Sequence, residues 1–96
     1  MNFEFNKIND NKVVSLEGRL DALTAPDFES FLLENYDGEG TLIIDCAKLS
    51  YISSAGLRVL LIAQKRSNGN MKLTNACELV MEVIQMTGFA DILRIE

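Results

Sequence analysis

Apolar and polar residues alternate weakly from Asn2 to Ile8, and a strand here would carry Phe3 and Phe5 on one face, with Ile8 a further candidate. Asn9-Asp10-Asn11 is a turn cluster. The run from Lys12 to Gly18, KVVSLEG, returns as a second strand, so the first two strands form an antiparallel hairpin. Thr24-Ala25-Pro26-Asp27 then opens a helix with a Thr cap, a proline in the first turn and an acid soon after. Phe28, Phe31, Leu32 and Asn35 give that helix its 3,4-spaced stripe, and Tyr36 to Gly40 ends it. Thr41-Leu42-Ile43-Ile44 is a β-branched run that stops at Asp45.

From about Ser54 to Ser67 the period becomes helical again. Leu57, Leu60 and Leu61 form the inward stripe, widened by Val59, Ile62 and Ala63. Asn68-Gly69-Asn70 closes that helix. Met71 to Thr74 reads as a strand, Glu78 to Met86 as a helix with Leu79, Val80, Val83 and Ile84 apolar, and Ile92 to Ile95 as a short last strand. Met71, Met81 and Met86 fall at core-like spacings. The order β-β-α-β-α-β-α-(β) predicts one α/β domain over residues 1–96, with a mixed sheet of four to five strands packed against three main helices. Leu57, Leu60, Leu61, Val80, Val83, Phe28 and Phe31 are expected to face one core, with Ile43 on the sheet beneath them.

Composition narrows the function. The net charge of −5 disfavours nucleic acid, which needs a concentrated basic face; Lys65-Arg66 is a pair at a helix end, not a patch. No signal-peptide pattern follows Met1, and no apolar run approaches the roughly 18–20 residues of a membrane span, so a cytoplasmic protein is expected. Cys46 and Cys77 make neither a disulfide scaffold nor a zinc site and read as buried or semi-buried thiols. There is no histidine. That removes the usual general base, the Ser-His-Asp and Cys-His sites and the commonest metal ligand, and the lysines suggest no Ser-Lys dyad. Neither an enzyme nor a cofactor is expected. Asp37-Gly38-Glu39-Gly40 lacks the lysine and hydroxyl of a phosphate-binding loop and reads as a turn.

The chemistry that remains lies in Thr41 to Leu61, TLIIDCAKLSYISSAGLRVLL. Ser53-Ser54 sits where a helix begins, and first-turn N–H groups carry a partial positive charge. A hydroxyl there can cap the helix or carry a phosphate. Gly56 costs up to about 1 kcal/mol in a helix, which fits tight packing or the close approach of a partner. Sites in parallel sheets gather at the carboxyl ends of the strands. Those ends bring together Asp45, the Cys46–Ser54 loop and Asn75, joined by Asp21 from the exit of the second strand. Asp21 and Asp45 also fit the humbler task of satisfying loop N–H groups.

Nearly the whole chain resembles the STAS domain, specifically the stand-alone bacterial anti-sigma factor antagonist. Gly18-Arg19-Leu20-Asp21-Ala22 with Thr24-Ala25-Pro26 resembles the segment between second strand and first helix. Leu42-Ile43-Ile44-Asp45, Leu49 and Tyr51-Ile52-Ser53-Ser54-Ala55-Gly56-Leu57 resemble the family signature, and Met86-Thr87-Gly88-Phe89 the end of the last long helix. The resemblance implies a partner switch. The unphosphorylated antagonist holds an anti-sigma factor that is also a serine kinase of the histidine-kinase-like ATPase fold, which frees a sigma factor. The kinase phosphorylates a serine at the start of the second helix and the complex dissociates; a PP2C-type phosphatase resets it. By motif position the acceptor is Ser54, with Ser53 as the alternative because it stands where the family often has Asp. The partner face implied comprises Asp21, Asp45, Ser53, Ser54, Gly56, Arg58 and Asn75. The same resemblance also covers an unphosphorylated STAS adaptor subunit of a transport ATPase or transporter complex.

Overall fold

Every expected element forms, in the expected order. The computed structural model describes all 96 residues. The strands are β1 (Asn2–Ile8), β2 (Asn11–Leu20), β3 (Thr41–Ile52), β4 (Met71–Thr74) and β5 (Arg94–Ile95). The helices are α1 (Ala25–Asn35), α2 (Ser54–Arg66) and α3 (Glu78–Met86), and a 3-10 turn at Phe89–Asp91 leads into β5.

Strand order in the sheet is β1-β2-β3-β4-β5. The first pair is antiparallel and the rest are parallel. Each crossover therefore steps one strand in the same direction. Right-handed crossovers then put all three helices on one face of the sheet and leave the other open. Burial agrees: Val14, Leu16, Leu42, Ile44, Cys46, Met71 and Leu73 are buried beneath Phe28, Leu32, Leu57, Leu60, Ala63, Val80 and Ile84. The register aligns Val14 with Ile44 and Ile44 with Leu73, which makes this set one face. Phe3 extends it, stacked 5.8 Å from Phe28 and 5.1 Å from Phe31 between ring centroids.

Ile43 is not in the core. It is half-buried, on the open face with Thr41 and Asp45. Apolarity alone does not choose between the two parities of a four-residue run, but the polar residues flanking Ile43 at two-residue spacing do. Phe31, Leu61 and Val83 are half-buried rather than fully buried. Ile8, Leu79, Met86 and Ile92 are exposed, so of the methionines expected as filler only Met71 is fully buried. Cys46 is buried, which pushes its thiol up to about 12, whereas Cys77 is exposed, contrary to expectation.

The largest departure is β3, which runs on for seven residues past Asp45 to Ile52. β2 follows it to Leu20, and their register shifts between Ser15 and Glu17 and again between Gly18 and Arg19. At each shift β3 holds one residue more than β2. The buried positions along β3 are consequently 42, 44, 46, 49 and 52, so the spacing lengthens from two to three. A broken alternation reads as loop, which is why Cys46–Ile52 resembled one. Gly18 absorbs the second irregularity with φ +110, a conformation strained for a residue with a side chain.

Gly56 is buried where α2 crosses the ends of these strands. A Cβ there would stand 2.7 Å from Leu20 Cγ and 3.0 Å from Ile52 Cγ1. Tight packing is therefore the reason for this glycine. Gly56→Ala is expected to cost about 1–2 kcal/mol in urea unfolding, because overpacking of about 1–3 kcal/mol outweighs the gain in helix propensity. A gain in stability would show that the contact yields. Leu60→Ala, at a fully buried position, is expected to cost about 2–5 kcal/mol by the same measurement.

Candidate functional site

The end of β3 is tied to the end of β2 by Ser53 N–H, which donates to the Leu20 carbonyl at 2.9 Å. Ser53 is extended, with φ −106 and ψ 177, and its carbonyl accepts the first helical bond of α2 from Leu57 N–H at 3.0 Å. It is the N-cap by position only. Its side chain makes no capping bond, and its Oγ is shielded from solvent without a partner. The expectation of a capping hydroxyl thus fails at Ser53. Ser54 is the first residue of α2 and is exposed. Arg58 is also exposed and stands four residues on, one turn along the same side of the helix.

α2 also differs from its neighbours electrostatically. α1 has Asp27 and α3 has Glu78 in the first turn, but α2 has no acid there. Its N-terminal dipole is left without a compensating charge, next to an exposed hydroxyl.

Asp21 and Thr24 build the neighbouring loop. Asp21 Oδ1 accepts from Leu23 N–H at 3.0 Å and Thr24 N–H at 3.2 Å. Thr24 is the positional cap of α1 but turns backwards. Its Oγ1 accepts from Asp21 N–H at 2.9 Å and donates to the Arg19 carbonyl at 2.8 Å. Arg19 Nε is 4.0 Å from Asp21 Oδ2, and the Arg19 guanidinium lies 4.3 Å from the centre of the Tyr51 ring. Asp21 is therefore a structural carboxylate as well as a neighbour of the serine pair, and it is not a free acidic lip.

Asp45 and Asn75 do meet. Asp45 Oδ1 accepts from Ala47 N–H at 3.0 Å and from Asn75 Nδ2 at 3.1 Å. Asn75 makes this turn with φ +60, a left-handed conformation that asparagine tolerates. The pair marks the end of β4, while β3 continues from there for seven residues, up to roughly 23 Å of strand. The expected single cluster is thus divided. Asp21, Ser53, Ser54, Gly56 and Arg58 gather where β2 meets α2, with Gly56 buried beneath; Asp45 and Asn75 sit apart, towards the open face.

Two surface features beside the serine pair escaped the sequence pattern. Leu23 is 86% exposed. Next to it, Ala22, Ala25, Pro26, Ala55 and Val59 floor a hollow of about 300 Å³, with Glu29 and Arg58 also lining it. The signal for Leu23 was its phase: an apolar residue belonging to neither the strand before it nor the helix after it.

Residues 2–96 match the STAS domain. BtrV of Bordetella bronchiseptica, named as an anti-sigma factor antagonist, is 34% identical over 96 residues, which cover 96% of this chain and 83% of BtrV. The anti-sigma-B factor antagonist of Bacillus subtilis is 30% identical over 93 residues, covering 93% and 85%. The Bacillus protein SpoIIAA in its unphosphorylated form superposes with a TM-score of 0.79 at 20% identity, over 99% of this chain and 88% of that one. Its phosphorylated form gives 0.68 at 18%, over 99% and 91%. At these identities the structural likeness is one of fold. The match spans almost every residue, and the chain belongs to the STAS domain family.

Proposed function

We propose that this chain is an anti-sigma factor antagonist that works by partner switching, with Ser54 as its phosphoacceptor. The reading rests on one contrast: of two adjacent serines, Ser54 is exposed at the first position of α2, whereas the Ser53 hydroxyl is shielded within the fold. Both relatives at 30% identity or more carry the name of anti-sigma factor antagonist. The chain acts by binding, not by catalysis, and works in the cytoplasm; none of its helices is long and apolar enough to cross a membrane.

Unphosphorylated, the surface around Ser54 docks on an anti-sigma factor that is also a serine kinase of the histidine-kinase-like ATPase fold. The kinase's own base takes the Ser54 proton as Oγ attacks the γ-phosphorus of ATP, and ADP leaves. A PP2C-type phosphatase reverses this by directing water at the phosphorus, which returns the hydroxyl and inorganic phosphate. Phosphorylation adds about −1.5 to −2 charges at neutral pH. The first turn of α2 tolerates them, since its N–H groups and dipole favour an anion and no acid competes. The partner must either desolvate that charge or leave. A penalty of about 3–4 kcal/mol at the interface weakens binding by two to three orders of magnitude, enough for release without unfolding.

Incubation with the partner kinase and ATP is expected to place one phosphate on Ser54 by mass-spectrometric site mapping. Ser54→Ala should keep fold and binding but take no phosphate, and Ser54→Asp should fold and bind weakly. Phosphate on Ser53 alone would reverse the assignment, and none on either serine with a competent kinase would point to the unmodified adaptor. The two supporting side chains should behave oppositely in thermal unfolding. Ser53→Ala is expected to be neutral or slightly stabilising, since it removes a shielded hydroxyl without a partner instead of a cap. Asp21→Ala is expected to cost about 1 kcal/mol, because Leu23 N–H loses its acceptor while Thr24 N–H keeps only the Asp21 carbonyl.

A further inference from the structure

The partner reading leaves open what supplies the affinity. A switch residue must lie at the edge of the contact it controls, so the apolar centre of that contact has to be near Ser54. Six large apolar side chains are exposed on this chain: Ile8, Leu23, Leu33, Leu79, Met86 and Ile92. Only Leu23 lies in the loop joined to the serine pair, two residues after Asp21 and three after the Leu20 carbonyl that Ser53 N–H engages.

Leu23 is also held rather than merely loose. Its own N–H is bound by Asp21 Oδ1, and the loop is closed on both sides by the bonds of Thr24 to Asp21 and to the Arg19 carbonyl. These bonds order the backbone that presents Leu23, so that part of the ordering cost does not fall on a docking partner. Beside it lies the hollow of about 300 Å³ between the starts of α1 and α2. Its floor is Ala22, Ala25, Pro26, Ala55 and Val59, small or apolar throughout, and Ala55 is the residue after Ser54. Arg58 and Glu29 also line it, and neither is in a salt bridge with another side chain of the protein. The patch thus combines an exposed apolar side chain on an ordered backbone, an apolar recess and two charges of opposite sign outside any salt bridge, an apolar centre with a polar rim.

We infer that Leu23 and the hollow beside it form the apolar centre of the surface that grips the anti-sigma factor. This rests on the reading of the chain as an antagonist. It also states the complementary chemistry required of the partner: a pocket for one leucine, an apolar side chain that enters the recess, and a carboxylate facing Arg58. A phosphate on Ser54 then arrives at the border of this apolar contact and beside Arg58, where it competes with the partner's carboxylate for the same guanidinium.

The experiment measures binding by calorimetry to a purified kinase-type anti-sigma factor encoded in the same genome, at two salt concentrations. Leu23→Ser removes the exposed apolar side chain and Ala22→Phe fills the recess; Leu33→Ser, an exposed leucine elsewhere on α1, is the control. The first two are expected to raise Kd at least tenfold with unchanged melting temperature, and the control to stay within twofold. Arg58→Gln should weaken binding and flatten its salt dependence. Leu23→Ser binding like the wild type would overturn the inference while leaving the antagonist reading intact. A wild-type chain that binds no such factor would remove both. Light scattering is run in parallel: if the wild type is a dimer that Leu23→Ser dissociates, the patch is a contact between copies of this chain and the inference is wrong.

Discussion

The contact between Gly56 and the side chains of Leu20 and Ile52 governs the end of this molecule that carries the serine pair. It fixes how closely α2 approaches the last residues of β2 and β3, and a single Cβ would be too much for it. Because α2 is pressed down at its first turn, Gly56 and Leu57 face the sheet and the helical period turns Ser54 and Arg58 outward. The hydrogen bond from Ser53 N–H to the Leu20 carbonyl locks the same junction from the backbone side. The exposure of one serine and the shielding of its neighbour are thus consequences of packing, not independent features of a site.

That arrangement separates the proposed phosphoacceptor from the fold. Ser54 uses its place on the helix without contributing a cap, and the first turn of α2 carries no acid, so a new anion there meets only favourable backbone charge. The core beneath is apolar and fully enclosed, from Ile52 and Leu57 through Leu60 to Ile44. Adding a phosphate therefore alters the surface potential by up to two charges while leaving the packing that supplies stability untouched. The loop opposite behaves differently. Asp21 is tied into the backbone by the Leu23 and Thr24 N–H groups, which makes it a frame for the loop beside the serine pair.

Much of this was legible in the sequence because periodicity reports burial wherever elements are regular. α3 is bounded as its apolar period indicated, and α2 begins at the serine pair. The failures share a cause. Cys46–Ile52 is strand, but two bulges stretch its buried spacing from two to three, and a pattern search reads irregular spacing as loop. That misplacement propagated to the site: with β3 ending at Asp45, the carboxyl ends of β3 and β4 appear level and Asp45 falls beside Ser54. With β3 ending at Ile52, they do not. Capping was misread for a related reason. Ser53 and Thr24 have cap identities and cap positions, but which way a hydroxyl points depends on neighbours such as Asp21 and the Arg19 carbonyl, brought there by tertiary structure.

The extra length of β3 also makes the two ends of this one-sided sheet unlike each other. With every helix on the same face, the other face needs polar residues to live in water, and Ser15, Asp45, Lys72 and Thr74 supply them. An open polar sheet is a poor place for a tight apolar contact. At the far end, however, β2 and β3 outrun β4 and carry their chain ends beyond the rest of the sheet. Each of those two strands leads into a helix on the covered side, so the starts of α1 and α2 lie together with small residues, Ala22, Ala25 and Ala55, between them. Small residues leave a recess, and Leu23 in the adjoining loop stands in solvent. The bulges lengthen β3 relative to β2 while the two strands remain paired to their ends, so the same irregularity that hid the strand from a sequence reading holds Ser54, Leu23 and the recess on one surface.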